Sequence, residues 1–250
     1  MTDELVHRAD ADGVATITLD SPRNRNALSA RLCAELLAHL DAAAGARVVV
    51  LTHTGPVFCA GMDLREARTA PGAGELPRVL EAILSAPAPV VARLAGPARA
   101  GGIGLLAACD LAVAADTATF AFSEVRVGVV PAVLAVTVLP RIPAAAAREL
   151  FLTGETFDAA RARAIGLLTA AVPADRLDAE VTRYVDLLRR GAPGALAATK
   201  ALLGRPPDPD RAAAFAAMGE LSARHFASAE AREGIAAFTE KRPPAWSRER

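Results

Sequence analysis

The sequence predicts an α/β fold in which strands alternate with helices, followed by a region of helices alone. Short β-branched runs, VATITL at Val14–Leu19 and RVVVLT at 47–52, are typical of strands, and a segment with leucines at helical spacing separates them. From about residue 144 onward such runs become rare, and alanine-rich amphipathic segments follow one another. We therefore expect a layered core over residues 1–190 and a helical region over residues 191–250.

The elements of the core follow in order along the chain. Between the first two strands, Ser29 has the side chain of an N-cap, and Leu32 and Leu40 belong to one apolar face of a helix. A helix over 75–85 stops at the prolines that follow it, and a strand over 89–94 comes next. The remaining elements are a helix entered through glycines, over 102–108, and strands over 111–114 and 119–122.

The C-terminal part is predicted to be helical. Its segments cover 145–153, 159–165, 176–190, 194–203 and 211–239. The proline-rich stretch at 206–209 separates the last two, because a helix interior does not accommodate proline.

Composition excludes several classes of protein. Lys and Arg together number 28, as do Asp and Glu, so no basic field favours nucleic acid or an anionic membrane. The three cysteines are too few and too far apart for a disulfide framework, which predicts a reducing, cytoplasmic location. The chain starts without a secretory signal pattern, and its most apolar stretch, 101–115, contains Asp110 and is too short for a bilayer. We expect neither export nor a membrane partner.

Three segments carry candidate chemistry, and the first two are turns rich in small residues. VFCAGMDL at 57–64 follows a strand and allows close backbone approach, although alone it also fits an ordinary strand-to-helix turn. GPARAGGIGL at 96–105 leads into a helix, where free N–H groups suit an oxyanion or a phosphate. The nucleotide patterns GxxxxGK[ST] and GxGxxG are absent, as is the serine-nucleophile pattern GxSxG.

The third segment, FAFSEVRVGVVP at 120–131, places the carboxyl group of Glu124 among apolar residues. Burial raises the pKa of a carboxyl group toward values that are useful for proton transfer. The alternatives for Glu124 are a salt bridge to Arg126 or a surface position.

Taken in order, the three segments resemble the enoyl-CoA hydratase/isomerase (crotonase) family over almost the whole chain. Family members carry an A/C-A-G-x-D-L turn, a G-x-A-x-x-G-G-x-x-L-x-x-x-C-D helix entry and a P/S-E-x-x-x-G-x-x-P stretch, matched here at 57–64, 96–110 and 123–131. The FTEKR sequence at 238–242 is similar to the family's F-x-E-K-R close. The sequence around 96–110 and 123–131 also resembles that of a family branch that includes methylglutaconyl-CoA-type hydratases.

This resemblance implies a crotonase-like spiral of repeated ββα units with a C-terminal helical oligomerisation region. It also implies that the backbone N–H groups of Ala60 and Gly101 form an oxyanion hole for a thioester carbonyl, which prepositioned donors would stabilise as an enolate. Glu124 matches the family's second catalytic glutamate, whereas Gly104 stands where the first is expected.

The implied activity is hydration of a 2-enoyl-CoA thioester or dehydration of a 3-hydroxyacyl-CoA thioester. Because Gly104 removes one acid, two alternatives remain: Δ3,Δ2-enoyl-CoA isomerisation by Glu124 alone, and a catalytically weak acyl-CoA binding protein. Coenzyme A is then part of the substrate, and no separate cofactor is expected. The four scattered histidines give no metal-ligand spacing, so no metal is expected either.

The resemblance also suggests which residues hold the substrate and which partners to expect. The coenzyme A contacts are expected at Arg23, Arg25, Ala27, Leu28, Asp63, Leu64 and Lys241, although surface positions fit the arginines equally well. The acyl pocket is expected at Pro131, Ala132 and Leu134, with further lining near 65–68 and 76–80. A homotrimer or a hexamer built as a dimer of trimers is implied.

Overall fold

The computed structural model describes residues 4–67, 74–205 and 209–247. The strands are β1 (Val6–Ala11), β2 (Val14–Leu19), β3 (Val48–His53), β4 (Val90–Leu94), β5 (Ala98–Arg99), β6 (Leu111–Ala115), β7 (Thr119–Ala121), β8 (Phe157–Asp158) and β9 (Ala170–Val172). The helices are α1 (Ala30–Ala42), α2 (Leu64–Ala67), α3 (Leu76–Ser85), α4 (Gly101–Ala108), α5 (Ala132–Val138), α6 (Ala144–Thr153), α7 (Ala159–Ala164), α8 (Leu177–Arg189), α9 (Pro193–Leu203), α10 (Arg211–Phe226) and α11 (Ala229–Thr239).

The larger sheet has the strand order β1-β2-β3-β4-β6-β9 within the described residues. Only the β1–β2 pair is antiparallel, and the other neighbours are parallel. Alternate residues of β3 enter opposite layers: Val49 and Leu51 face the main core, and Val48 and Val50 face α8. A sheet covered on both faces explains why β3 is almost continuously apolar.

The smaller sheet contains β5, β7 and β8, and an isolated parallel bridge extends it from Ala98 to Cys59. The helix that follows β5, α4, is buried at every position. Its GGIGLLAA sequence suits this place, because small residues allow close packing on all sides.

The helical region is joined to the core by two cations. Lys200 on α9 bonds to the Asp110 carboxylate at 2.8 Å and to the carbonyl oxygens of Ile83 and Ala88 at 2.9 and 3.3 Å. Arg47, just before β3, donates to carbonyl oxygens of Arg189, Gly191 and Trp246. These bonds fix both ends of the region against the larger sheet.

Most of the predicted elements are found among the described residues, but the sequence did not predict the short elements α2, α5, β5, β8 and β9. Strand β1 was not predicted, and it forms the antiparallel edge of the larger sheet. The segment predicted as one helix over 211–239 is two helices, because the Ser228 side chain accepts the Ala231 N–H and starts α11. The predicted division at 190/191 falls between α8 and α9. Most of the proline-rich stretch at 206–209 lies outside the described residues.

Large apolar side chains remain exposed on the last helices. Phe215 and Phe226 on α10 and Phe238 on α11 are at least two-thirds exposed. No described helix combines the length and the apolar character that a bilayer span requires.

Candidate active site

The three candidate segments lie side by side in the smaller sheet. Cys59 pairs with Ala98 in parallel, and Ala98 pairs in parallel with Phe120. Parallel strands present their carboxyl ends at one edge, where ligands of α/β sheets commonly bind. The residues that follow these strands, 60–62, 100–101 and 122–124, therefore meet at the same edge of the sheet.

The amide of Ala60 is not available to a ligand in this structure. Its N–H donates to the carbonyl oxygen of Arg25 at 3.0 Å. The prediction that Ala60 supplies an oxyanion donor is therefore wrong, because its N–H is already used in this hydrogen bond and does not face a thioester oxygen.

Met62 has the better placed amide. Leu28 N–H donates to the Gly61 carbonyl at 2.8 Å, and Asp63 N–H donates to the Leu28 carbonyl at 3.3 Å. In such a parallel bridge the middle residue, Met62, turns its own N–H away from Leu28. No bond of the Met62 N–H occurs within the described residues.

Gly101 lies next to the turn that contains Met62. A methyl group placed on Gly61, the neighbour of Met62, would lie 3.4 Å from the Gly101 nitrogen. Gly101 is the first residue of α4, so its N–H has no partner inside the helix. The Met62 and Gly101 amides therefore lie close together, near the positive end of the α4 dipole, and neither is bonded within the described residues.

Two unusual backbone conformations occur directly before these two amides. Gly61 has φ +90°, and Ala100, directly before Gly101, has φ +50° and ψ −125°. Ala100 is held there by the bond from its N–H to the Ala121 carbonyl at 3.1 Å. A positive φ is costly for alanine, and such strain collects at functional sites.

The Glu124 carboxyl group is partly buried in the short 3-10 helix Ser123–Val127. Its Oε2 is shielded from solvent and has no hydrogen-bond partner. Desolvation raises the pKa of Glu124 above the usual value. The alternative salt bridge does not form, since Arg126 bonds to the Thr153 carbonyl instead.

The volume beside Gly104 is filled by Leu134. A methyl group on Gly104 would lie 2.9 Å from Leu134 Cβ, 3.4 Å from its Cα and 3.7 Å from Leu80 Cδ1. No carboxylate therefore replaces the missing first acid at this position. Of the other predicted acyl-pocket residues, Pro131 is buried and Ala132 is exposed.

The predicted coenzyme A residues are only partly brought together. Ala27 and Leu28 are buried beside the site, and Leu28 Cδ1 would touch a methyl group on Gly101 at 3.1 Å. Arg23 and Arg25 are exposed on the same loop. Lys241 is also exposed, and within the described residues no contact joins it to the site.

Asp63 has a structural use, because its Oδ1 accepts the Arg65 N–H and its Oδ2 accepts from Asn24. The following residue, Leu64, is exposed at the start of α2. Arg68, at the end of the expected lining, lies outside the described residues.

Sequence reasoning missed Met62 and Asn26, whereas Leu76 belongs to the expected lining at 76–80. Leu76 closes the space over Gly101, with Cδ2 at 3.0 Å from a methyl group placed there. Asn26 is fully buried and bonds to three backbone groups. The available signal was Asn26 shortly after Pro22, since asparagine tolerates the left-handed backbone of tight turns.

The cysteine thiols near the site are not reactive. Burial raises the pKa of the Cys59 and Cys109 thiols to about 12. Both are therefore inert thiols at neutral pH. Within the described residues, no group of three or more potential ligands could hold a metal ion.

Comparison with known proteins gives a consistent result. The family described as Enoyl-CoA hydratase/isomerase matches residues 9–249. A crystal structure of an enoyl-CoA hydratase from Mycobacterium smegmatis has a TM-score of 0.91 at 36% identity, over 98% of this chain and 99% of that one. An enoyl-CoA hydratase from Mycobacterium avium is 44% identical with a TM-score of 0.75, over 98% and 100% of the two chains. Enoyl-CoA hydratase domain-containing protein 3, mitochondrial, of Rattus norvegicus is 32% identical over 97% of this chain and 84% of that protein.

Proposed function

Because this chain belongs to the enoyl-CoA hydratase/isomerase family, we propose that it hydrates a 2-enoyl-CoA thioester or dehydrates a 3-hydroxyacyl-CoA thioester. The observation that carries the proposal is the buried, unpartnered Oε2 of Glu124 at the sheet edge that also holds the Met62 and Gly101 amides. An acid–base group and a pair of oxyanion donors are the parts that enolate chemistry requires.

In the proposed reaction, the Met62 and Gly101 N–H groups bind the thioester oxygen and stabilise the negative charge that develops on it. Glu124 accepts a proton from water while the water oxygen bonds to the β-carbon. The electron pair of the carbon–carbon double bond moves toward the thioester and gives an enolate. Glu124 then returns the proton to the α-carbon, so one water molecule is added in total.

A second candidate is Δ3,Δ2-enoyl-CoA isomerisation. The aliphatic wall of Leu134 and Leu80 beside Gly104 favours it, since this wall offers no second carboxylate to hold water. Glu124 would take a proton from the α-carbon of a 3-enoyl thioester and deliver it to the γ-carbon. This transfer needs one acid–base group only.

The deciding experiment measures both reactions in heavy-oxygen water with a panel of enoyl-CoA thioesters, including branched and glutaconyl types. A hydratase places the label on the β-hydroxyl, and an isomerase yields an unlabelled 2-enoyl product. Glu124→Gln should bind substrate but lose turnover, whereas Glu155→Gln, the same change at an exposed position, should not. A wild-type protein that is inert in both assays would favour the acyl-CoA binding role.

The activity should depend on one ionisation. Hydration needs the ionised form of Glu124, and burial raises the pKa of this carboxyl group above its ordinary value. The rate should therefore fall as the pH drops through a value higher than that of a solvated glutamate. Residual activity in Glu124→Gln that still falls at the same acidic pH would contradict the role of this residue.

We propose further that the coenzyme A phosphates meet Arg23 and Arg25, and that the protein forms homotrimers or dimers of trimers in the cytoplasm. The exposed phenylalanines of α10 and α11 support an assembly, because large apolar patches commonly mark protein contacts. Light scattering tests the assembly, and competition by free coenzyme A tests the binding site.

A further inference from the structure

We propose that Asn26 is a positioning residue that aims the Met62 N–H at the thioester oxygen. This inference rests on the proposed function, because it needs the Met62 and Gly101 donors to act on a carbonyl. It concerns a side chain that touches neither substrate nor reacting atoms.

The Asn26 side chain is completely buried and uses both of its polar ends. Its Oδ1 accepts the Ser21 N–H at 2.7 Å, and its Nδ2 donates to the carbonyl oxygens of Thr54 and Val57 at 3.1 and 2.8 Å. These bonds tie the loop after β2 to the segment that follows β3. The αL backbone of Asn26, with φ +53°, is one that asparagine tolerates well.

The loop anchored by Asn26 holds the donor segment by its backbone. Arg25 and Leu28, on either side of Asn26, accept from or donate to Ala60, Gly61 and Asp63. The opposite edge of the donor segment is held by β5, since Phe58 N–H donates to Pro97 and Arg99 N–H donates to Cys59.

The direction of the Met62 N–H therefore depends on the register of this loop. A shift of the loop would break the hydrogen bonds that Arg25 and Leu28 make to Ala60, Gly61 and Asp63. Because these bonds decide which amides of the donor segment face the loop, the Met62 N–H would then change direction. Asn26 is the side chain that fixes the loop to the carbonyl oxygens of Thr54 and Val57. Its loss should misdirect a donor without removing it.

The test compares Asn26→Gly, which keeps the positive φ, and Asn26→Asp, which keeps the Oδ1 acceptor, with the wild type. The control is Val181→Ala, which destabilises the fold on the opposite face of the larger sheet. Two quantities are measured at a temperature where circular dichroism shows complete folding: the split between kcat and KM, and the red shift of a bound conjugated dienoyl-CoA, which reports carbonyl polarisation.

Both Asn26 variants should lose about 10- to 100-fold in kcat, somewhat less than deletion of a whole oxyanion donor, and should lose much of the red shift. KM should change about threefold or less, because ground-state contacts remain. Val181→Ala should keep both quantities. Wild-type kcat and a full red shift in either folded Asn26 variant would overturn the inference and leave Asn26 a stabilising residue only.

Failure of the proposed function would look different. In that case the wild type itself would give no red shift of bound dienoyl-CoA, and Gly101→Pro would change neither the spectrum nor kcat. If the wild type shifts and Gly101→Pro abolishes the shift while the Asn26 variants retain it, only the role of Asn26 fails.

Discussion

The contact between Gly104 and Leu134 gives a prediction that can be worked out from distances. Gly104→Ala places a methyl group 2.9 Å from Leu134 Cβ and 3.4 Å from its Cα. These atoms move only with the backbone of α5, so overpacking should cost about 1–3 kcal/mol. Alanine favours a helix over glycine by about 1 kcal/mol, which offsets part of this loss. The net destabilisation should be about 0–2 kcal/mol.

A double-mutant cycle separates the cost of the contact between residues 104 and 134 from the helix propensity of alanine. The propensity contributes equally to Gly104→Ala in the wild type and in the Leu134 variant, so it cancels. Combined with Leu134→Gly, which removes the Cβ, Gly104→Ala should show a favourable coupling of about 1–2 kcal/mol, within the usual range for touching residues. Combined with Leu134→Ala, which keeps the Cβ, the coupling should be about 0.5 kcal/mol or less. The two cycles differ by one atom at the point of contact.

Urea unfolding followed by circular dichroism, at one protein concentration, measures all the variants. Equal couplings in the two cycles would show that Leu134 does not occupy the space beside Gly104. The same reasoning predicts that Gly104→Glu alone gains no second acid–base group, because its side chain would also have to displace Leu134.

Three further predictions concern stability. Glu124→Gln should be more stable than the wild type at pH 7 but not near pH 4. Because burial raises the pKa of Glu124 in the folded state, the wild type loses stability as the pH rises and this carboxyl group ionises, whereas glutamine does not ionise. Urea unfolding at both pH values checks this. Ala100→Gly should relieve the strain at φ +50° and raise the melting temperature, and an unchanged or lower value would argue against strain there. Lys200→Met should cost about 1.5–3 kcal/mol, because the partly exposed Asp110 carboxylate loses its cation and keeps, among the described residues, only the Val90 N–H as a donor; a neutral result in urea unfolding would show that this ion pair adds nothing.

Much of the fold could be predicted because its elements carry periodic signals. Val14–Leu19 alternates and forms β2 with the predicted bounds, and Ser29 caps α1 as expected. Strands of two or three residues, such as β5 and β8, are too short for any periodicity, yet β5 carries the chain to Gly101.

The site was harder to predict for a different reason. The sequence identifies a turn at 57–64, but which amide of that turn is free depends on the loop that pairs with it. Arg25 takes the Ala60 amide from more than thirty residues away, and no local pattern encodes that bond. Glu124 could be singled out because a lone acid in an apolar stretch is a local signal. Leu134 beside Gly104 could not be foreseen, since it is a contact between two helices.

The way the smaller sheet is assembled has a consequence for folding. Met62, Gly101 and Glu124 each follow a different strand, and the chain between them runs through α3, α4 and strands of the larger sheet. Contacts of such high sequence separation form late, after the entropy of closing long loops has been overcome. No fragment that ends before Glu124 contains all three groups, so the complete site should appear during refolding in the same kinetic phase as the native sheet. Hydrogen exchange at the Arg99 and Ala100 amides, which join these strands, would follow the same cooperative unit.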